Sequence, residues 1–336
     1  MAVDGYFDPA EECVDELASL IGERTDPDSV PHAEAIEREI VVYAAATLER
    51  ASDDPMRRRE LMAEIASVLR DGSGVIAVRG AIDRDVLDRT TDAFWRLLAE
   101  QHRGGLDTGD HFGGPGGNDR VWNALEKLAV ADPDAFVDYY ASATIALVSE
   151  AWLGPAYQVT SQLNIVNPGG VAQSAHRDYH LGFMSDASAA AFPAHVHAVS
   201  PLLTLQGAVA HCDMPVASGP TKLLPHSHTF GPGYVVWKQP TIVELFERTH
   251  VQLELAAGDA VFFNPAVYHA AGDNRTTDVK RIANLLQIGS AFGRSTEAVD
   301  RGRVVRAVYP ALLERLDTGW PRTTVDRALA AAAEGY

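Results

Sequence analysis

Hydrophobic and polar positions follow two rhythms along this chain. Up to about residue 70 the period is helical: Ile36, Ile40 and Tyr43 recur at i, i+4, i+7, as do Leu61, Ile65 and Val68, with charges between them. Asp71-Gly72-Ser73-Gly74 breaks that pattern, and Val75-Ile76-Ala77-Val78 then reads as a short apolar strand. Residues 83–101 return to a helix with Val86, Phe94, Leu97 and Leu98 on one face. Residues 103–119 hold seven glycines and no period. No Lys-Ser/Thr pair follows those glycines as in a phosphate-binding loop, so they predict a surface loop or lid. Further helices are predicted near 120–131 and 134–152, on either side of Asp132-Pro133.

From Tyr157 the period changes to two. Val159, Ser161, Leu163 and Ile165 alternate with Thr160, Gln162, Asn164 and Val166, and Val251, Leu253 and Leu255 alternate with Gln252 and Glu254. Leu202–Ala210, Arg281–Gly289 and the stretch after Gly258-Asp259 read as further strands, punctuated by Gly/Pro turns. From about 305 the chain is helical again. Short strands with turn signals, flanked by helices, predict a mainly β fold of the sandwich or barrel type. The expected organisation is a helical N-terminal extension (1–70), a core over 71–290 with helices at 83–101 and 120–152, and a C-terminal helical segment (291–336). No internal repeat or linker divides these, so they form one unit.

Composition narrows the function. The chain has 336 residues, enough for a full hydrophobic core, and 28 Lys+Arg against 46 Asp+Glu give a net charge of −18. That balance argues against nucleic acid, whose phosphates need clustered cations. Two cysteines, Cys13 and Cys212, exclude a disulfide framework or a four-thiolate zinc site. The acidic N-terminus lacks the features of a signal peptide, and no apolar run approaches 18 residues. A cytoplasmic protein with no membrane insertion is the expectation.

The histidines change the picture more than the charge does. All but one of the 12, His32, fall between His102 and His269. In Gln173-Ser174-Ala175-His176-Arg177-Asp178-Tyr179-His180, residues i and i+2 of a strand share a face, so His176 and Asp178 could present an imidazole and a carboxylate to one metal. Beyond the buried strand after Gly258-Asp259, His269 sits where a strand end would deliver a third ligand. Two histidines and one carboxylate form the facial triad of non-haem Fe(II) oxygenases, with open positions for other ligands. His195-Val196-His197 resembles half a cupin motif but no Glu follows it, and there is no H-E-x-x-H helix. The other histidines are expected to be hydrogen-bonded or pocket-lining.

These segments, in order over roughly residues 72–290, resemble the phytanoyl-CoA dioxygenase (PhyH-like) family of Fe(II)/2-oxoglutarate oxygenases. Gly74–Gly80 is similar to the family's opening strand and Gln173–Asp178 to its metal-binding Q-x-x-H-x-D. Ser218–His228 is similar to its N-G-x-x-x-x-x-P-G-S-H segment, with His226 where the family has Gly. Gly258 through His269 to Thr276 is similar to its strand, distal His and turn. The resemblance implies a double-stranded β-helix (jelly-roll) core. It implies Fe(II) on His176, Asp178 and His269, and 2-oxoglutarate and O2 as co-substrates. It also implies hydroxylation of an unactivated C–H bond of a small molecule, with release of succinate and CO2. An arginine beyond the distal His would bind the far carboxylate of 2-oxoglutarate. Arg281 fits with a one-residue insertion, and Lys280 and Arg275 are its rivals. Gln162, Asn164 and Thr221 are expected on the co-substrate, and His180, Tyr179 and Gln173 on the substrate, with no catalytic group beyond the metal ligands. Retention of Asp178 speaks against halogenation. A small metabolite or natural-product intermediate is favoured over a CoA thioester, because the lysines and arginines are scattered. The alternatives are a cupin-like metalloenzyme that uses no 2-oxoglutarate and a catalytically silent β-sandwich binding protein.

Overall fold

Ten strands and their flanking helices follow from these patterns in the computed structural model, which describes residues 5–105, 117–180, 182 and 184–334. The strands are β1 (Ala35–Glu37), β2 (Ile40–Ala44), β3 (Val75–Arg79), β4 (Asn118–Val121) and β5 (Gln158–Val166), then β6 (Thr204–Ala210), β7 (Lys222–Leu224), β8 (Ala260–Phe263), β9 (Tyr268–Ala270) and β10 (Arg281–Gly289). Eight of them form one sheet in the order β1-β2-β3-β8-β6-β10-β5-β4, antiparallel except for β2 against β3. β7 and β9 form a smaller sheet that isolated bridges extend on both sides, Val251 against Leu223 and His176 against His269. The two sheets enclose an apolar layer that includes Ala208, Leu223, Leu255, Val261 and Phe263.

Helices cover the other face of the large sheet, where Val159, Leu163 and Ile165 of β5 and Ile282, Leu286 and Ile288 of β10 join the main core. Aspartates cap several of the helices. Asp54 accepts from Met56 N and Arg57 N ahead of Pro55–Arg70, Asp83 accepts from Asp85 N ahead of Arg84–Arg103, and Asp132 accepts from Ala135 N ahead of Pro133–Tyr140. Leu87, Thr90, Ala93, Phe94, Leu97 and Leu98 form the buried stripe of Arg84–Arg103. Helices Arg301–Asp317 and Arg322–Ala332 end the chain. Among the described residues no helix is long and apolar enough to cross a membrane.

Three elements differ from the sequence patterns. Ile36, Ile40 and Tyr43 are not helical: they lie on the β1–β2 hairpin, so residues 1–70 are only partly helical. The hairpin turn is Arg38-Glu39, both at positive φ (54° and 67°), the geometry of a two-residue turn usually built from Asn-Gly. Glu39 holds it by accepting from Thr25 N at 2.7 Å, and Arg38 donates to the Gln252 carbonyl. The helices expected near 120–131 and 134–152 break at Asp132-Pro133 as the sequence indicates, but the first, Ala124–Ala131, is preceded by β4, whose Asn118–Val121 pairs with β5, and the second divides into Pro133–Tyr140 and Ala143–Leu153. Val251–Leu255 alternates in burial but makes only single bridges, Val251 to Leu223 and Leu255 to Met214, and so is no ladder strand. Of the glycine-rich 103–119 segment, residues 106–116 lie outside the described residues. Residues 185–200 form helices Asp186–Ala190 and Ala194–Val199, with His197 buried against Phe7, Tyr179 and Tyr234.

His211 ties the helical layer to the sheet. Thr91 Oγ1 donates to Leu87 O, so it accepts from His211 Nδ1 at 2.7 Å, and the free Nε2 accepts from the Tyr139 hydroxyl at 3.0 Å. Burial pushes this imidazole down to about 3, well below the ordinary 6.5 of the unfolded chain. The unfolded chain therefore takes up a proton that the folded one refuses. Stability from this group is full above pH 6.5 and is lost as pH falls toward 3. Unfolding titrations between pH 6.5 and 5 should show a loss of about 1.4 kcal/mol per pH unit from this site. In His211→Gln the pH slope should be shallower by about one proton. An unchanged slope would mean that His211 is protonated in the fold.

Candidate metal centre

The small sheet sets the positions of the two histidines. His176 and His269 face each other across an antiparallel bridge, each N–H donating to the other's carbonyl at 3.0 Å. Directly opposed residues of such a pair project to the same side, and the ring centroids lie 4.5 Å apart. Asp178 follows His176 by two residues and returns to the same face, its N–H on the Pro265 carbonyl at 3.2 Å. His176 Nε2 is then 3.7 Å from Asp178 Oδ1, and His269 Nε2 is 3.9 Å from Asp178 Oδ2. Among the described residues this is the one group of three or more His, Cys, Asp or Glu whose donor atoms gather, all within 4.8 Å of one another.

The protonation pattern suits a metal. His176 Nδ1 lies 2.9 Å from Ser174 O, and His269 Nδ1 lies 2.9 Å from Val267 O. A carbonyl only accepts, so Nδ1 carries a proton in both rings, and Nε2 is the atom turned toward the carboxylate. Burial, then the neighbouring His176 ring, pushes His269 down to about 4, so it is neutral at pH 7. Two neutral imidazole nitrogens and one carboxylate fit a divalent cation such as Fe(II) by donor chemistry. Gln206 of β6 donates its amide to Asp178 Oδ2, which orients the carboxylate.

A cavity of about 1210 Å³ lies over this group, and all ten side chains singled out from the sequence line it. Arg281 opens β10 and is 5% exposed. Its Nη1 reaches only two carbonyls, Ser218 O at 3.3 Å and Gly272 O at 3.2 Å, and among the described residues no carboxylate pairs with it. Burial lowers its pKa to about 10, so it stays cationic at neutral pH. Its rivals are on the surface: Arg275 and Lys280 are exposed, and Lys280 sits over Trp95. Gln173, Thr221 and Tyr179 line the wall, as does His180, whose Nδ1 is 3.1 Å from Ser200 Oγ. Gln162 and Asn164 face the cavity from β5, with their amide oxygens on Arg120 Nη1 at 2.9 Å and Nη2 at 3.4 Å.

Several residues here left no sequence signal. Arg177, between two members of the triad, points to the opposite face. It donates to Phe230 O and Ser227 O and stacks on Tyr268 at 4.4 Å and Tyr234 at 5.4 Å. It therefore staples the His176–Asp178 segment to the 227–234 loop, and a Cβ on Gly233 would meet its guanidinium at 1.9 Å. Gln206, Arg120, Trp122 and Glu297 belong to the cavity wall through pairings that only the fold creates. The remaining histidines take no part in the triad: His195 is exposed, and His226 and His228 lie in the turn after β7, His228 bonded to Arg70 O.

No protein with curated annotation matches this sequence. Solved structures share its fold. The non-haem alpha-ketoglutarate-dependent carbocyclase SnoK from nogalamycin biosynthesis is 18% identical, covering 74% of this chain and 92% of its own, with a TM-score of 0.51. EctD from S. alaskensis, solved with 2-oxoglutarate and 5-hydroxyectoine, is 20% identical, covering 81% and 83%, with a TM-score of 0.50. At such identities the likeness is one of fold alone. The family model of phytanoyl-CoA dioxygenase (PhyH) matches residues 71–282, well over half of the sequence and inclusive of the whole triad. The chain belongs to the phytanoyl-CoA dioxygenase family and is a non-haem iron, 2-oxoglutarate-dependent dioxygenase.

Proposed function

We propose that the protein hydroxylates an unactivated C–H bond of a small metabolite or natural-product intermediate, with release of succinate and CO2. In this reading His176, Asp178 and His269 hold Fe(II), and Arg281 binds the far carboxylate of 2-oxoglutarate. One observation carries it: the triad and a buried guanidinium without a carboxylate partner among the described residues share a single cavity. A buried cation in that state is costly unless an anion completes it. Bound iron would supply the oxidative decarboxylation of 2-oxoglutarate by O2, coupled to oxidation of the substrate.

The chain's own residues orient, exclude water and hold protons in place. Ser174 O and Val267 O keep the Nδ1 protons of His176 and His269, so neither ring flips its donor atom away from the triad. Gln206 holds Asp178 in its rotamer. Ala208, Val261, Phe263 and Leu255 give that part of the cavity an apolar wall, which keeps water from the reacting centre. Thr221 is assigned to the co-substrate beside Arg281, whose planar fork clamps a carboxylate through two bonds. His180, Tyr179 and Gln173 are assigned to the substrate. Gln162 and Asn164 are assigned to the co-substrate, with their amide oxygens held by Arg120.

Oxygen-dependent succinate formation from 2-oxoglutarate with added Fe(II) tests this reading. His176→Ala and Asp178→Ala should each abolish it, and turnover that persists in both variants would refute the ligand assignment. Arg281→Ala should raise the KM for 2-oxoglutarate by at least about thirtyfold, the scale of a buried charge left without its partner. A KM unchanged in Arg281→Ala, or raised instead in Lys280→Ala, would move the anchor elsewhere.

A further inference from the structure

Residues 184–199 form a small unit laid against the cavity. Ser185 caps helix Asp186–Ala190 by accepting from Ser188 N, and helix Ala194–Val199 follows Pro193. Within this unit only Ala189 and His197 are buried. Its inner side belongs to the cavity: Met184 lines the wall and packs on Tyr179, Tyr234 and Ala266. Tyr234 in turn donates its hydroxyl to the Asp178 carbonyl. The two ends of the unit are drawn together where His180 N donates to Ser200 Oγ at 3.1 Å. Gly182, at a φ of 82° with nothing within 4 Å of a Cβ, supplies a pivot at one end.

Two attachments hold this unit down from outside. One is the ion pair of Lys238 with Asp186 at 2.5 Å, both side chains half-exposed. The other is a strap formed by residues 5–11. Gly5 O accepts from Ala194 N at 2.7 Å, and the Phe7 ring lies 5.8 Å from the His197 ring. Phe7 also covers Gly231, where a Cβ would meet the phenyl ring at 3.2 Å. The strap is fastened at its other end. Gln239 Nε2 donates to Pro9 O at 2.8 Å and to Glu11 O at 3.0 Å, and Leu17 of helix Val14–Leu20 is buried with Ile242, Leu245 and Phe246. The strap therefore joins residues 184–199 to helix Pro240–Thr249 in the body of the fold.

His197 sets how firmly the unit is held. It packs among Phe7, Tyr179, Phe192 and Tyr234, and among the described residues neither ring nitrogen makes a hydrogen bond. A buried imidazole without partners carries a desolvation cost that water removes once the unit lifts. Apolar contact with Phe7 acts in the opposite direction. Closure thus depends on Phe7 and Lys238, two side chains outside the triad. Tyr179 connects closure to the metal side of the cavity: its ring lies 5.7 Å from His197 and 4.9 Å from Tyr234, and it follows Asp178 directly.

We propose that residues 184–199 are a lid over the cavity and that the strap, residues 5–11, is its latch. Lifting pivots at Gly182, uncovers the wall formed by Met184 and Tyr179, and gives small molecules a path to the triad. As regulation of that site, this rests on the cavity being where the oxygenase binds its ligands.

Hydrogen exchange of the full chain, without added metal, tests the latch. In Phe7→Ala the amides of residues 184–199 should exchange about tenfold faster, with those of β8 and β10 unchanged. Lys238→Met alters a half-exposed side chain and should speed the same amides about threefold, so it keeps the test open if Phe7→Ala fails to fold. Unchanged exchange over 184–199 in the folded variants, or equal acceleration in β8 and β10, would overturn the proposal. Binding kinetics of 2-oxoglutarate to the Mn(II)-loaded chain test the lid. Phe7→Ala should raise the association and dissociation rates together, each about tenfold, and leave Kd within about twofold. An unchanged association rate with a weaker Kd would make Phe7 a packing residue and overturn the lid. If 2-oxoglutarate binds neither protein, the co-substrate reading fails, and exchange alone decides the latch.

Discussion

The pair of backbone hydrogen bonds between His176 and His269 is the constraint on which the rest of the site depends. Ninety-three residues separate the two in sequence, yet 3.0 Å bonds in both directions fix them as directly opposed partners. Opposed partners share a face, so both imidazoles turn toward the large sheet without any further device. Asp178 reaches the same face through the two-residue repeat of extended chain, and Gln206 meets it from β6. A slip of one residue in that bridge would turn one ring to the other face and dissolve the chelating set.

Two buried arginines show how environment separates structure from chemistry. Arg177 is surrounded by Phe230, Tyr234 and Tyr268, and donates to two carbonyls of the loop it anchors. Its charge is absorbed by aromatic faces and dipoles, so it acts as a staple. Arg281 has only two long bonds to carbonyls and opens onto the cavity. Burial lowers the pKa of both, but only Arg281 has a wall position from which a ligand's carboxylate could complete it.

β5 and β10 were legible because their alternation is a direct consequence of one buried face and one cavity face. Arg281–Gly289 forms β10 with the bounds its pattern indicates. The β1–β2 hairpin was hidden because Arg38-Glu39 adopts a turn usually marked by glycine, and the spacing of Ile36, Ile40 and Tyr43 mimics a helix when two strands meet at so short a turn. β4 was hidden because Asn118–Val121 is a short edge strand whose partner, β5, lies some forty residues on.

Sequence alone determined the order and type of the chemical groups: an H-x-D, a later histidine after a buried strand, and a basic residue beyond it. Those features are local, and a strand's period of two suffices to place His176 and Asp178 together. Tertiary structure decided which basic residue is buried, since Arg275, Lys280 and Arg281 look alike in sequence and differ in burial once β10 enters the sheet. It also decided the far wall of the cavity, where Arg120, Gln162 and Glu297 meet from three distant segments. Hydrogen-bond satisfaction is a property of neighbours in space, so an unmatched Glu297 oxygen exists only after the chain has closed around it.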